Sequence, residues 1–187
     1  MSKSIISLIP FTPGDGGVAT IQSTVSFREP NRLRINYLAK GEIGSLKLPG
    51  NRSPRRADRL WEHTCFELFL RVNGDSSYYE FNFSPSGEWA AYAFRDYRDG
   101  RPIDDEELSP EIVVRRMPDR IELDAVVRRD RLPVVRPGAR LRLALSAVIE
   151  AGDGRLSYWA LKHPAAKPDF HHPDSFALEL ALPSQSA

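Results

Sequence analysis

The chain has 187 residues, of which 41% are hydrophobic and 27% charged, a composition typical of a soluble globular protein with a substantial core. Its 26 basic and 25 acidic residues give a formal net charge of +1. This balance argues against a nucleic-acid partner, because nucleic-acid-binding domains carry a basic surface. We expect one domain over residues 1–187, with residues 183–187 forming a flexible tail.

The amino-terminal segment and the cysteine content allow a prediction of the cellular compartment in which the protein resides. Residues 1–17 read MSKSIISLIPFTPGDGG, in which the apolar run is too short and too interrupted for a secretory signal. No stretch approaches the roughly 20 apolar residues that cross a bilayer. Cys65 is the single cysteine, so no intrachain disulfide can form. The sequence therefore predicts a cytoplasmic, reduced protein without a membrane partner, and it leaves the oligomeric state open.

Alternation of apolar and polar residues recurs along the chain, whereas helical periodicity is scarce. Turn residues such as Asn73-Gly74-Asp75 and Pro137-Gly138 separate the alternating segments. Many short strands between turns predict an all-β fold, and we expect an antiparallel β-sandwich of jelly-roll type with ten or more strands. The predicted strands span residues 19–28, 32–40, 64–72, 78–84, 88–95, 111–117, 120–129, 139–151, 156–161 and 175–182. Residues 49–58 and 97–110 are polar and rich in turn residues, which predicts solvated loops.

The most informative segment is residues 61–95, WEHTCFELFLRVNGDSSYYEFNFSPSGEWAAYAFR. If the turn at residues 73–75 joins two of its strands as a hairpin, matching their apolar faces restricts the register. The predicted pairs are Leu70 with Tyr79, Leu68 with Phe81, Phe66 with Phe83 and Glu67 with Asn82. A second hairpin at residues 85–87 is predicted to place Trp89 opposite Asn82.

This register predicts a polar row, Glu67–Asn82–Trp89, on the face opposite the apolar one, beside a second row that contains Phe69 and Glu80. Aromatic rings offer a flat apolar platform, while carboxylates and amides bond hydroxyl groups, so this composition suits a shallow ligand site. The alternative is a second, partly buried layer in which loops cover Glu67 and Glu80 and arginines pair with them.

The same residues resemble a family. Leu60-Trp61-Glu62-x-x-x-Phe66-Glu67-Leu68-Phe69-Leu70, followed by Tyr78-Tyr79-Glu80-Phe81-Asn82, is similar to the DOMON-like group related to family 9 carbohydrate-binding modules. The carboxy-terminal pattern of that group is matched by Tyr158-Trp159 and by Pro168-Asp169-Phe170-x-x-Pro173-Asp174-Ser175-Phe176. The resemblance extends from about Trp61 to Leu182 and implies a β-sandwich.

The resemblance also implies a site that holds the end of a sugar chain between two aromatic rings. Trp61 stands six residues before Glu67, as the first ring does before a sugar-bonding glutamate in those modules. Phe170 stands at the position of the second ring, where a tryptophan is usual, and Lys167 replaces a polar sugar-bonding residue three positions earlier. The expected ligand-binding residues are Trp61, Glu67, Asn82, Lys167 and Phe170, with Glu80 or Trp89 at the edge.

Three histidines near the carboxy terminus, His163, His171 and His172, raise the question of a metal. The last two are adjacent, which points their side chains apart in an extended chain, and the spacing typical of zinc ligands is absent. We therefore predict no metal and no cofactor, and the sequence assigns no role to His171 or His172. Haem, which in related proteins requires axial Met and His ligands, is disfavoured because Met117 is the only internal methionine.

Three classes of function remain open. The leading hypothesis is a non-catalytic module that binds a carbohydrate or a sugar-like small molecule between two aromatic rings. The alternative is a cytoplasmic interaction or scaffold domain that has lost sugar binding. A glycoside hydrolase, which needs two carboxyl groups in distinct roles, is less favoured, because nothing in the sequence separates an acid from a nucleophile at Glu67 and Glu80.

Overall fold

The computed structural model describes residues 4–14, 17–29, 31–132 and 139–182. Within these residues the chain forms twelve strands joined by loops and short 3-10 turns, without an α-helix. No helix in this described part has the length and apolar character needed to cross a membrane. The strands are β1 (Ile6–Pro10), β2 (Val18–Glu29), β3 (Arg32–Gly41), β4 (Cys65–Val72), β5 (Tyr78–Phe83), β6 (Trp89–Asp96), β7 (Asp99–Pro102), β8 (Glu111–Met117), β9 (Arg120–Arg128), β10 (Arg140–Glu150), β11 (Leu156–Ala160) and β12 (Leu178–Ala181).

The strands form two antiparallel layers. The front sheet has the order β7-β6-β5-β4-β10-β11, with β12 pairing the first part of β10, and the back sheet has the order β2-β3-β9-β8. Strand β1 connects the layers, because residues 6–8 pair with β2 and residues 9–10 pair with β11. The predicted all-β, antiparallel β-sandwich of jelly-roll type is confirmed.

Alternating side chains from both sheets fill the core between them. The back sheet contributes buried residues such as Ile35, Tyr37 and Leu123. The Tyr37 hydroxyl donates a hydrogen bond of 2.6 Å to the Glu67 carbonyl oxygen, which ties β3 to β4 across the core. The front sheet contributes from β4 and β5 the buried side chains of Phe66, Leu68, Leu70, Tyr79, Phe81 and Phe83.

The pairing of β4 with β5 is the one that the sequence predicts. Leu70 lies opposite Tyr79, Leu68 opposite Phe81, and Phe66 opposite Phe83. On the other face, Glu67 lies opposite Asn82. The register is fixed because a shift of one residue would move the whole apolar set out of the core.

The predicted pairing of β5 with β6 is wrong by one residue. Asn82 lies opposite Ala90, whereas Trp89 lies opposite Phe83 and packs in the core with 2% of its surface exposed. The physical reason is the turn: the Ser84 amide bonds the Glu88 carbonyl at 2.9 Å, which leaves a loop of three residues instead of two. Gly87 adopts a φ of 96° in this loop, as the last residue of such a turn requires.

Two strands and one boundary were not predicted. The polar strand β7 is exposed and lacks apolar alternation, and β1 is short and ends at a proline. Strand β12 begins at Leu178 instead of residue 175, because residues 173–175 form a 3-10 turn. The predicted tail at residues 183–187 lies outside the described residues.

Candidate functional site

The outer face of the front sheet is unusual because it is both polar and removed from water. Alternation directs Glu67 of β4 and Glu80 of β5 away from the core, yet only 2% and 5% of their surfaces are exposed. The segment between β11 and β12, residues 161–177, lies over this face and is called the cover loop below. Phe176 of the cover loop packs against Phe69 and Tyr78 of the sheet, which holds the loop in place.

An open cavity of about 520 Å³ remains at this face. A volume of this size fits the range of small-molecule sites. Its walls combine aromatic rings with carboxyl, guanidinium and imidazole groups. The lining residues are Trp61, Glu62, Glu67, Glu80, Tyr92, Phe94, Arg98, Val148, Leu156, Tyr158, Pro168, Phe170 and His171.

Trp61 and Phe170, the two predicted rings, both line this cavity. Trp61 lies in a 3-10 turn, Leu60–Glu62, where the buried Leu60 anchors the turn and leaves the indole 39% exposed. Its ring meets Tyr92 edge to face, with 5.6 Å between centroids. Phe170, in the cover loop, approaches Tyr158 of β11 at 6.2 Å between centroids. Two separate segments therefore supply aromatic surface to one cavity.

Glu67 and Glu80 are the buried acidic groups of the cavity. Ser146 of β10 donates a hydrogen bond of 3.1 Å to Glu67 Oε2. Burial, together with the nearby Glu80 charge, raises the pKa of Glu67 well above its ordinary value. Burial also raises the pKa of Glu80 to about 7, although the Asn82 amide and the Arg98 charge oppose this shift. Within the described residues neither carboxyl group forms an ion pair with an arginine, in contrast to the alternative interpretation above.

Asn82 lies beneath the cavity, fully buried and outside its lining. Its Nδ2 donates a hydrogen bond of 2.7 Å to Glu80 Oε1, and its Oδ1 lies 3.7 Å from the Cys65 sulfur. These contacts make Asn82 a residue that orients Glu80. The structure therefore does not bring Asn82 to the ligand position that the sequence predicts.

The other two predicted site residues also lie outside the lining. Trp89 is in the core, on the opposite side of the front sheet, because of the three-residue turn before β6. Lys167 is exposed on the cover loop, next to Pro168, which does line the cavity. Of the seven predicted residues, the structure gathers four at the cavity: Trp61, Glu67, Glu80 and Phe170.

His171 of the cover loop reaches into the same polar cluster. Its Nδ1 lies 2.9 Å from the Tyr78 hydroxyl, and its Nε2 lies 3.8 Å from Glu80 Oε2. The Tyr78 oxygen also accepts a hydrogen bond of 3.1 Å from the Arg98 amide, which leaves its own proton to bond Nδ1. This arrangement favours the tautomer with the proton on Nε2, facing Glu80. Burial and the Arg98 charge lower the pKa of His171 to about 4, so the imidazole is neutral at physiological pH.

Asp169 fastens the cover loop to the turn between β6 and β7. The Arg98 guanidinium donates to Asp169 Oδ1 at 2.9 Å, and the Tyr97 hydroxyl donates to Oδ2 at 2.7 Å. Burial alone would raise the pKa of Asp169, but these two bonds outweigh burial and hold the pKa below its usual value. Asp169 is therefore ionised, and it neutralises the charge of Arg98 at the cavity wall.

Sequence reasoning missed several lining residues for identifiable reasons. Tyr92 and Phe94 share a face with Glu80 once the β5–β6 register is corrected, so the correct turn length would have found them. Arg98 adopts a left-handed backbone conformation, with a φ of 55°, in a turn that no motif singled out. Its contact with the cover loop joins residues 71 positions apart, which local patterns cannot reveal.

The other two histidines of the cover loop make ordinary structural contacts. His163 Nε2 lies 3.0 Å from the Ile9 carbonyl oxygen, and His172 Nδ1 accepts a hydrogen bond from the Asp174 amide. Among the described residues, no three His, Cys, Asp or Glu side chains come together in a group that could hold a metal ion. Met117 ends β8 in the back sheet and does not line the cavity.

Comparisons with known proteins bear on the fold. No known family profile matches the chain, and no curated protein matches its sequence. Among solved structures, a Bacteroides uniformis protein to which carbohydrate binding is ascribed matches with a TM-score of 0.70 and 15% identity, over 96% of this chain and 86% of that one.

Two structures of a family 9 carbohydrate-binding module from Caldicellulosiruptor kristjanssonii also match, each with a TM-score of 0.61 and 12% identity. One contains glucose and the other cellotriose; each match covers 99% of this chain and 85% or 84% of the module, respectively. At these identities the likeness shows the fold. The chain has the β-sandwich fold of family 9 carbohydrate-binding modules, as the resemblance in its sequence implies.

Proposed function

We propose that this chain is a non-catalytic binding module that holds a carbohydrate in the cavity on the front sheet. The observation that carries the proposal is the cavity itself, in which aromatic rings from two separate segments stand beside two buried carboxyl groups. Aromatic faces stack on the apolar side of a sugar ring, while buried polar groups fix the orientation of its hydroxyls.

The lining residues divide these tasks. Trp61 and Phe170 offer stacking surface, since both line the cavity and neither is fully buried. Glu67 and Glu80 exchange hydrogen bonds with hydroxyl groups, and Asn82 and Ser146 hold the two carboxyl groups in place. We expect modest affinity, because each aromatic contact adds only about 0.5–1.5 kcal/mol beyond burial of area, and association costs offset part of this gain.

The comparisons support this assignment through the fold. The similar Caldicellulosiruptor kristjanssonii module is known in complex with glucose and with cellotriose. A small sugar or an oligosaccharide is therefore the ligand class to examine first.

The arrangement of the two carboxyl groups favours binding over hydrolysis. A glycosidase needs one carboxyl group as acid and a second as base or nucleophile, in environments that set their pKa values apart. Here burial is the first cause of both shifts, and both pKa values are raised. Because both groups therefore favour the protonated form, neither is set apart as the ionised base or nucleophile that hydrolysis needs.

Titration calorimetry with a panel of mono- and oligosaccharides tests the proposal. We expect saturable binding to at least one sugar, and a loss of about tenfold in affinity for Trp61→Ala, because a stacking contact and its burial are removed. Phe170→Ala should weaken binding by a similar factor. The matched control is Val113→Ala, which removes an exposed apolar side chain from the back sheet.

Two results would contradict the proposal. One is the absence of saturable binding by any sugar in the panel, which would favour the interaction or scaffold domain. The other is equal affinity of the wild type and Trp61→Ala, which would place binding elsewhere.

A further inference from the structure

Two carboxyl groups at the cavity have no cationic partner within the described residues. Arg98 is neutralised by Asp169, with 2.9 Å between Nη2 and Oδ1. Glu62 is likewise neutralised by Arg59, with 2.6 Å between Nη2 and Oε1. The two carboxyl groups that remain, Glu67 and Glu80, form no ion pair with a lysine or arginine within the described residues, and the imidazole of His171 beside Glu80 is neutral.

The oxygens of these two groups also have unused bonding capacity. The hydrogen bond from Ser146 engages Oε2 of Glu67, and the one from Asn82 engages Oε1 of Glu80. Among the described residues, Oε1 of Glu67 and Oε2 of Glu80 accept no hydrogen bond, and Nε2 of His171 lies 3.8 Å from the latter. Both side chains are more than nine-tenths buried and line the cavity. Acceptors that open onto a cavity without a protein partner are available to bond a ligand.

We propose that the cavity selects a sugar that carries a free ammonium group, that is, an amino sugar, over neutral sugars. This inference rests on the proposed function and adds the chemical class of its ligand. An ammonium group has three N–H donors and one positive charge, so it can bond the free oxygens of Glu67 and Glu80 together.

The energetic reason lies in the charge of the ligand. Burial raises the pKa values of both carboxyl groups, so both are largely protonated at about pH 6. A neutral hydroxyl bonds the pair in this protonated form. A bound ammonium group favours the ionised form of one carboxyl group, so one proton leaves to the buffer and that carboxylate compensates the charge of the ligand. The faces of Trp61 and Tyr92 add cation–π attraction for a group placed beside them.

The groups that surround the carboxyl pair do not supply this charge. From β4, β5 and β6 only neutral thiol and phenol groups face it. Strand β11 presents the Tyr158 ring, and the turn between β6 and β7 presents Arg98, already paired. The 3-10 turn presents Glu62, and the cover loop presents neutral His171 and anionic Asp169. The titratable groups concerned are Glu62, Cys65, Tyr78, Tyr92, Arg98, Tyr158, Asp169 and His171.

Titration calorimetry of the whole chain with D-glucosamine, N-acetyl-D-glucosamine and D-glucose, at about pH 6 in two buffers of different ionisation enthalpy, tests the inference. We expect glucosamine to bind about tenfold or more tightly than the other two, since its bonds to carboxylates are charge-assisted. We also expect its binding alone to release close to one proton, which appears as a difference in heat between the buffers.

Glu80→Gln and Glu67→Gln should each abolish the preference for glucosamine over N-acetylglucosamine and the release of a proton on binding. Two variants are used so that the test survives if one of them fails to fold, which its thermal unfolding curve will reveal. The control is Glu179→Gln, which makes the same change in net charge at an exposed ion pair on β12 and should retain the preference.

The outcomes separate this inference from the proposed function. Equal affinity for glucosamine and N-acetylglucosamine overturns the inference and leaves sugar binding intact. Preference retained in both glutamine variants also overturns it, since the charge would then act elsewhere. Binding of tetramethylammonium as tightly as glucosamine overturns the role of the sugar ring. No binding of any sugar overturns the proposed function and the inference with it.

Discussion

The two faces of the front sheet are built from the same strands and are both shielded from water, yet they differ in kind. On the inner face the rings of Phe66 and Phe81 pack in the hydrophobic core. On the outer face Glu67 and Glu80 are almost as buried, but beside a cavity of about 520 Å³. Burial alone therefore does not distinguish a core from a site. Polar side chains that border free volume do distinguish them.

The inner and outer faces of the front sheet also contribute differently to the stability of the fold and to ligand binding. The inner face removes large apolar side chains from water, at about 1.5–3 kcal/mol for each fully buried one. The outer face buries carboxyl groups at a cost, which hydrogen bonds from Ser146 and Asn82 offset in part. We therefore expect substitutions on the inner face to act on unfolding, and substitutions on the outer face to act on binding and on pH dependence.

The largest effect is expected for Phe81→Ala on the inner face. Removing this fully buried ring should lower the free energy of unfolding by about 3–5 kcal/mol, because the side chain is lost and a cavity is left behind. Urea denaturation of wild type and variant measures the change. A loss below about 1 kcal/mol would mean that the inner face is not the packed core.

The next effect concerns the pH dependence of stability, which arises on the outer face. The raised pKa values of Glu67 and Glu80 give stability that is present at low pH and is lost as pH rises through the folded-state values. The lowered pKa of His171 acts in the opposite sense, with stability present above about 6.5 and lost as pH falls toward about 4. Between about pH 5 and 6.5, Glu67 and Glu80 each take up a proton on folding, whereas His171 releases one. Folding therefore takes up about one proton net in this range.

The wild type should therefore lose about 1.4 kcal/mol of unfolding free energy per pH unit as pH rises through this window. Glu80→Gln should make the profile flat, and His171→Gln should make it about twice as steep. Denaturant titrations at a series of pH values measure the slopes. Identical slopes in all three proteins would show that these groups do not titrate together on folding.

A smaller, local effect is expected where the cover loop is fastened to the sheet. Asp169→Ala removes the bonds from Arg98 and Tyr97, which should lower the free energy of opening the loop by about 1–3 kcal/mol. Hydrogen exchange should rise in residues 161–177 and stay unchanged in β9. Asp153→Ala, which removes an exposed ion pair with Arg155, is the control and should change neither. Unchanged exchange in the cover loop would show that its other contacts, such as those of Phe176 and His171, are sufficient to hold it.

The smallest effect is expected for Lys167→Ala. The side chain is exposed and does not line the cavity, so sugar affinity should change by less than about twofold. Calorimetry with the best-binding sugar measures this. A tenfold loss would restore Lys167 to the role that the sequence predicts for it.

The sequence predicts those parts of the fold that alternation determines. The β4–β5 pairing follows from two apolar faces that can match in only one register, and it correctly places Glu67 and Glu80 on the outer side. The predicted register of β5 with β6 is wrong because turns of two and three residues are both compatible with Pro85-Ser86-Gly87. Each turn length places a different face of β6 outward. This difference of one residue in the turn is the reason why the sequence predicts Trp89 at the site and the structure places it in the core.

The covering of the site could not be predicted from local patterns. The contact between Tyr78 and His171 spans 93 positions, and that between Arg98 and Asp169 spans 71. Such contacts depend on how the cover loop packs onto the sheet, which no periodicity encodes. The resemblance to family 9 modules did supply Trp61 and Phe170, and both line the cavity. Their roles in binding stay predictions until sugars are titrated.

The length of the three-residue turn between β5 and β6 also determines how this site can change in evolution. Because side chains alternate along a strand, deletion of one residue in the turn would turn Trp89 outward and send Tyr92 into the core. The sequence of β6 would stay the same, but its core-facing and cavity-facing side chains would exchange positions. A change of length at one surface loop could thus remake the cavity wall in a single step, whereas substitutions would need to alter both faces of the strand together. Related chains with a shorter or longer turn here are therefore expected to bind different ligands.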